Sequence, residues 1–218
     1  MGLNQAWIDK TEGFLKDRFQ NSLLFQSDPD ACAYRLEHSY RVANIGKQIA
    51  EAEGFDPTEM VIACLLHDIS YCEPFRSREE SMNHGRLSAK IARPFLKGLG
   101  LAEERIEDIC YGIAIHVDDT ADFPGERTRF AETISDADNI DRFDVYRIYE
   151  NLNYMDFSHL SLEEKQKKAI SMLEQLHKLR MMKLATPTAI KLWQQRIDFY
   201  ISFYERLNVQ LHNSSQIR

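Results

Sequence analysis

The sequence predicts an all-α protein. Two observations carry that reading: apolar residues recur at intervals of three and four along nearly every segment, and no stretch alternates apolar with polar residues as a half-buried strand does. The first helix is expected over about residues 3–20, with Trp7, Phe14, Leu15 and Phe19 facing inward. A loop with "SDPDA" follows, and a second helix runs from about 31 to 53, where Gly54 stops it. Asp56-Pro57-Thr58 restarts the chain into a third helix that reaches Asp68. The polar connection "EPFRSREESMN" leads to a fourth helix over about 84–96, interrupted or kinked near Pro94. Gly98 and Gly100 bound a short turn before a fifth helix from about Ala102 to His116. After a loop with Pro124 and Gly125, a sixth helix is expected from about Arg127 to Tyr149.

The last third differs in composition. Residues 161–183 read as a charged amphipathic helix with Ala169, Leu173, Leu176 and Leu179 on one face. Thr186-Pro187 supplies an N-cap and first position for a final helix carrying Ile190, Trp193, Ile197, Tyr200 or Ile201, and Tyr204. No linker, repeat or low-complexity segment divides the 218 residues, so the expectation is one all-α domain over 1–218.

Composition narrows the function classes. Hydrophobic residues at 44% and charged residues at 28% are the balance of an ordinary soluble globular protein. The formal net charge of −7 argues against broad nucleic-acid binding, and leaves room for a small phosphorylated substrate if a divalent cation reverses the local potential. No apolar stretch approaches the ~18 residues of a membrane span. "MGLNQAWIDK" lacks the regions of a signal peptide, so a cytoplasmic protein is expected, with reduced thiols at Cys32, Cys64, Cys72 and Cys110.

The informative feature is where ionisable residues interrupt apolar helix faces. His38 shares a stripe with Val42, Ile45 and Ile49, and His116 closes the stripe of Ile106, Ile109 and Ile113. Asp138 and Asp141 continue the stripe of Phe130 and Ile134, where isoleucine would be ordinary. In "CLLHDISYC", Asp68 follows Val61 and Leu65, beside His67. An aspartate at the negative end of a helix dipole is unfavourable unless something positive faces it. His84 begins the fourth helix after Asn83, a plausible cap, whereas His159, His177 and His212 fall in polar or C-terminal segments and read as surface residues. Any one of these histidines alone reads as a satisfied core or surface residue. Together, imidazoles and carboxylates at the ends of separate helices describe a metal site within a bundle, suited to zinc, manganese, iron or nickel.

His38, His67-Asp68 and Asp138, set in "HSYRVA", "ACLLHDI" and "DADNID", resemble the ordered H…HD…D pattern of the HD-domain metal-dependent phosphohydrolase superfamily. The resemblance covers about residues 31–150 and implies an HD-type helical core, with the helices over 3–20 and 161–210 packed on it. It implies His38, His67, Asp68 and Asp138 as ligands of one divalent ion (Mn, Fe, Ni, Co, Zn or Mg). His84 and His116 match the longer version of the pattern, as ligands of a second ion or as phosphate contacts.

The implied activity is hydrolysis of a small phosphate ester or anhydride, foremost a nucleotide, by water that the ion activates toward a pKa near ~7. Asp68 would serve as base or orienting group and His84 as a catalytic partner, with Arg41 and Arg142 as candidate substrate-binding residues. For Arg41 the competing reading is a salt bridge with Glu37 or the acidic cluster. One departure stands out: some nucleotidases of the superfamily place a glutamate three residues after the ligand aspartate, and here that position is Tyr71, with Glu73 the nearest acid. A di-iron HD-fold oxygenase and a non-catalytic metal-binding regulatory module are the alternatives, and a homodimer is left open.

Overall fold

A computed structural model describes residues 2–215. Among them no strand occurs, and the chain forms two compact units divided between Asn139 and Ile140. No described helix is long and apolar enough to cross a membrane.

The first unit contains α1 (Gln5–Gln20), α2 (Leu23–Ser27), α3 (Pro29–Glu53), α4 (Pro57–Leu66), a 3-10 turn (Ile69–Cys72), α5 (Arg78–Met82), α6 (His84–Leu99), α7 (Glu103–Ile115) and most of α8 (Arg129–Asp141). Local chemistry sets the ends of the long helices. Asp28 accepts the Ala31 amide and Pro29 occupies the first turn of α3, which Gly54 ends in a left-handed conformation at φ 78°. Asp56 accepts the Thr58 and Glu59 amides at the start of α4.

α4 is apolar nearly all round and buried along its length, against α3, α1 and α7. Ile62, Leu65 and Leu66 are fully enclosed, each worth about 1.5–3 kcal/mol of burial. Two glycines permit close helix crossings. A Cβ on Gly85 would meet the Ala114 and Ile113 carbonyls of α7 at 2.8 and 2.9 Å, and one on Gly112 would meet Ala131 of α8 at 2.8 Å.

The second unit holds α9 (Val145–Tyr154), a 3-10 turn (Phe157–His159), α10 (Leu162–Leu179) and α11 (Pro187–His212). Ser161 and Glu164 form a reciprocal capping box on α10, and Thr186 caps α11 ahead of Pro187. α10 and α11 pack together, burying Ala169 and Leu176 on one helix and Trp193, Ile197, Tyr200 and Tyr204 on the other.

Several expected boundaries move. The loop before α3 contains the short helix α2, and the connection before α6 contains α5. The third helix stops at Leu66 and hands over to the 3-10 turn, so Asp68 lies just past its end. α6 passes through Pro94 to Leu99; the proline sits on an exposed face. The expected single helix over 127–149 is two helices, separated at residues 142–144. Phe143 turns there and packs edge-on against Trp193 and Tyr200, with ring centroids 4.9 and 5.6 Å away, a tertiary contact that local periodicity does not contain. In α1 the buried stripe is Ile8, Thr11, Leu15 and Phe19, leaving Trp7 and Phe14 half-buried. Ile190 and Leu179 are exposed rather than inward.

Candidate metal centre

Five elements of the first unit deliver side chains to one buried point. His38 comes from the middle of α3, His67 and Asp68 from the end of α4, His84 from the first residue of α6, His116 from the end of α7, and Asp138 from α8. All are buried except His84, which is half-buried.

The histidine orientations follow a repeated local device. Nδ1 of His67, His84 and His116 each lies 2.6–2.7 Å from the carbonyl three residues earlier, on Cys64, Ser81 and Ile113. A carbonyl can only accept, so each Nδ1 carries a proton, and Nε2 is the ring nitrogen that faces inward. Those Nε2 atoms meet at close range: His67 to His38 at 3.2 Å and His84 to His116 at 3.1 Å.

The carboxylates complete two adjoining donor groups. In the first, His38 Nε2 lies 3.2 Å from Asp138 Oδ1 and 3.5 Å from Asp68 Oδ2, with His67 Nε2 at 3.8 and 3.6 Å from the same two oxygens. In the second, Asp68 Oδ1 lies 3.1 Å from His84 Nε2 and 3.5 Å from His116 Nε2. Asp68 therefore turns one oxygen to each group, and Oδ1 is buried without a hydrogen-bond partner. Metal–ligand bonds of about 2.0–2.2 Å place donors roughly 2.8–3.6 Å apart around one ion. All the observed spacings but the 3.8 Å of His67 to Asp138 match, and the orphaned Asp68 oxygen is what a bound cation satisfies. The donor set fits a divalent metal.

Electrostatics agree. Burial alone would push the Asp68 carboxyl up, but the imidazoles of His67, His116, His38 and His84 reverse this and hold it well below the usual carboxylate range. The positive group expected at this helix end is also present. Arg35 Nη1 donates to Asp68 Oδ2 at 2.8 Å, and its guanidinium lies 3.4 Å from the centroid of the Tyr71 ring.

A buried serine pair frames the two halves. The Ser70 amide donates to Ser88 Oγ, Ser88 Oγ donates to Ser70 Oγ, and Ser70 Oγ donates to the His84 carbonyl, all at 2.9–3.1 Å. Ser135 Oγ of α8 likewise donates to the His116 carbonyl at 3.2 Å.

The remaining sequence-derived candidates are Arg41, Arg142 and Glu73. Arg41 Nη1 is 3.9 Å from Glu37 one turn away, the salt bridge weighed against a substrate role. Arg142 is exposed, just past α8 in the second unit. Glu73 pairs with Arg18 at 2.8 Å, and Tyr71 lies under Arg35 with its ring 4.9 Å from that of His84. Sequence reasoning missed Arg35. Its signal was position: three residues before His38 on the same helix, hence on the same face.

Comparison with known proteins gives two findings. Residues 35–142 match the family model of the HD domain. Among solved structures, the chain is similar to a crystal structure described as a predicted HD superfamily hydrolase from an uncultured Thermotogales bacterium. The two share 20% identity over 90% of each chain, with a TM-score of 0.62, a likeness of fold. No curated protein sequence matches. The HD-domain match spans the residues that place His38, His67-Asp68, His84, His116 and Asp138, so residues 35–142 form an HD domain.

Proposed function

We propose that this chain is a metal-dependent phosphohydrolase acting on a small phosphate ester or anhydride, with nucleotides the leading substrate class. The observation that carries the reading is the pair of adjoining donor groups sharing Asp68, in which four imidazole nitrogens and three carboxylate oxygens converge and Asp68 Oδ1 is buried without a hydrogen-bond partner. The HD-domain match over residues 35–142 and likeness to an HD hydrolase fold support hydrolysis.

His38, His67, Asp68 and Asp138 would hold a divalent ion, which when bound would supply the Lewis acidity that activates water and polarises a phosphoryl oxygen. Asp68 orients the attacking water through its carboxylate. His84 and His116, both kept in the Nδ1–H form by their carbonyl partners, hold a second ion or contact the phosphoryl group. Tyr71 stands where some superfamily nucleotidases carry glutamate, so the proton management of this centre rests on Asp68 and the imidazoles instead.

The test is elemental analysis of the purified protein together with a phosphate-release screen over nucleotides and phosphate esters with Mn²⁺, Mg²⁺, Co²⁺ and Ni²⁺. Metal-dependent release that His67→Ala and Asp68→Ala abolish is the expected result. Two bound irons with oxygen uptake and no phosphate release would replace the proposal with an oxygenase. A metal-loaded protein silent on the whole panel would replace it with a regulatory module.

A further inference from the structure

We propose that Arg35 is the anion clamp of this centre: its guanidinium, stacked on Tyr71 and tethered to Asp68, takes the phosphoryl oxygens of the substrate. The inference rests on the phosphohydrolase reading only for the identity of the anion as phosphate.

Three observations converge on Arg35. Its side chain is a quarter exposed, whereas that of Asp68, which it grips, is 5% exposed, so the guanidinium spans from the buried donor groups to solvent. One face is covered by the Tyr71 ring at 3.4 Å, which fixes the plane of the fork. Nη1 is committed to Asp68 Oδ2, which uses one of the five N–H donors of the guanidinium. A planar cation with its orientation fixed and N–H groups to spare is the geometry that recognises a phosphoryl group by paired hydrogen bonds.

The charge count explains why it serves an anion rather than only Asp68. The carboxylates of Asp68 and Asp138 bring two negative charges to the donor groups, and Arg35 brings one positive charge beside them. One divalent ion neutralises the two carboxylates, and the charge of Arg35 is then uncompensated beside the reaction site. Anion binding and metal binding therefore reinforce each other, each strengthening the other by the same factor.

The experiment is calorimetric titration of inorganic phosphate into Mn²⁺-loaded wild type, Arg35→Gln, Arg35→Lys and Tyr71→Leu. Thermal unfolding confirms that each variant is folded, and elemental analysis counts its metal. Phosphate affinity should fall at least tenfold in Arg35→Gln, with unchanged metal content, and by less in Arg35→Lys and Tyr71→Leu, which keep the charge and lose the fork or its support. Phosphate binding that is equal in Arg35→Gln and wild type overturns the inference. So does loss of metal from Arg35→Gln, which would make the residue a support for Asp68, and so does a wild type that binds no phosphate. A wild type that binds phosphate through Arg35 but hydrolyses no ester leaves the clamp standing and removes the proposed function. Ester hydrolysis with unchanged KM in Arg35→Gln does the reverse.

Discussion

Replacing Gly85 by alanine tests whether the close crossing of α6 and α7 builds the second donor group. The added Cβ would stand 2.8 Å from the Ala114 carbonyl oxygen, 2.9 Å from that of Ile113 and 3.0 Å from His116 Nδ1. Two of these are helix backbone atoms that cannot swing aside, and Ile113 is also the acceptor that orients His116. Reaching ordinary contact at 3.4 Å requires α6 to withdraw by about 0.4–0.6 Å in a close-packed interior. That exceeds the roughly 0.2 Å tolerance of a metal–ligand bond, and it acts directly on the 3.1 Å approach of His84 to His116. Overpacking costs about 1–3 kcal/mol, and the better helix propensity of alanine offsets up to ~1 kcal/mol of it. A net loss of about 1–2 kcal/mol corresponds to a fall in Tm of roughly 2–8 °C for a chain of this size.

Gly98, in the same helix, supplies the control. A Cβ there meets nothing within 4 Å, so Gly98→Ala should raise stability by about 0.5–1 kcal/mol. Thermal unfolding with and without Mn²⁺ reads both effects, and the Mn²⁺-induced rise in Tm should shrink in Gly85→Ala alone. If Gly85→Ala is as stable as wild type and responds equally to Mn²⁺, the crossing does not set the donor spacing and the argument fails.

Ser88→Ala leaves the buried Ser70 amide without its acceptor, an expected cost of about 1–3 kcal/mol in a denaturant titration; no change would show that the serine pair does not frame the centre. Chelation should lower Tm, because an ion present at about a hundred times its Kd adds roughly 2.7 kcal/mol to the folded state; identical melting with EDTA and with Mn²⁺ would deny a folded-state metal site. Thiol labelling of the native protein should modify Cys32 first and spare Cys64, Cys72 and Cys110, which are buried, with burial pushing the Cys110 thiol up to about 11. Equal rapid labelling of all four, without denaturant, would contradict that packing.

The donor residues were legible because each violates a local rule. A histidine or aspartate on an apolar stripe has to be satisfied by something, and His38, His116 and Asp138 all stand in such positions. Asp68 announced itself by lying at the wrong end of a dipole. Arg35 was less legible, since an arginine on a partly exposed helical turn breaks no rule; its place one turn before His38 was the sequence signal, and its stacking on Tyr71, thirty-six positions away, marks it in the fold. The break between α8 and α9 was hidden for a related reason. The apolar period runs on through residues 142–144, and the turn is imposed by Phe143 meeting residues of α11. Spacing reports which residues can share a face, while ring-to-ring packing across long separations is decided only by the assembled fold.

The shared carboxylate has a mechanical consequence. Asp68 Oδ1 and Oδ2 belong to one planar group, so a single torsion aims both. Whatever sets the tilt of that plane sets both donor groups together, and Arg35 holds one of its two oxygens. An event at the guanidinium is thus felt at His84 and His116 without touching either, as the rotation of one rigid lever. The two halves of the centre have no independent adjustment through Asp68, which makes its torsion a common control for both.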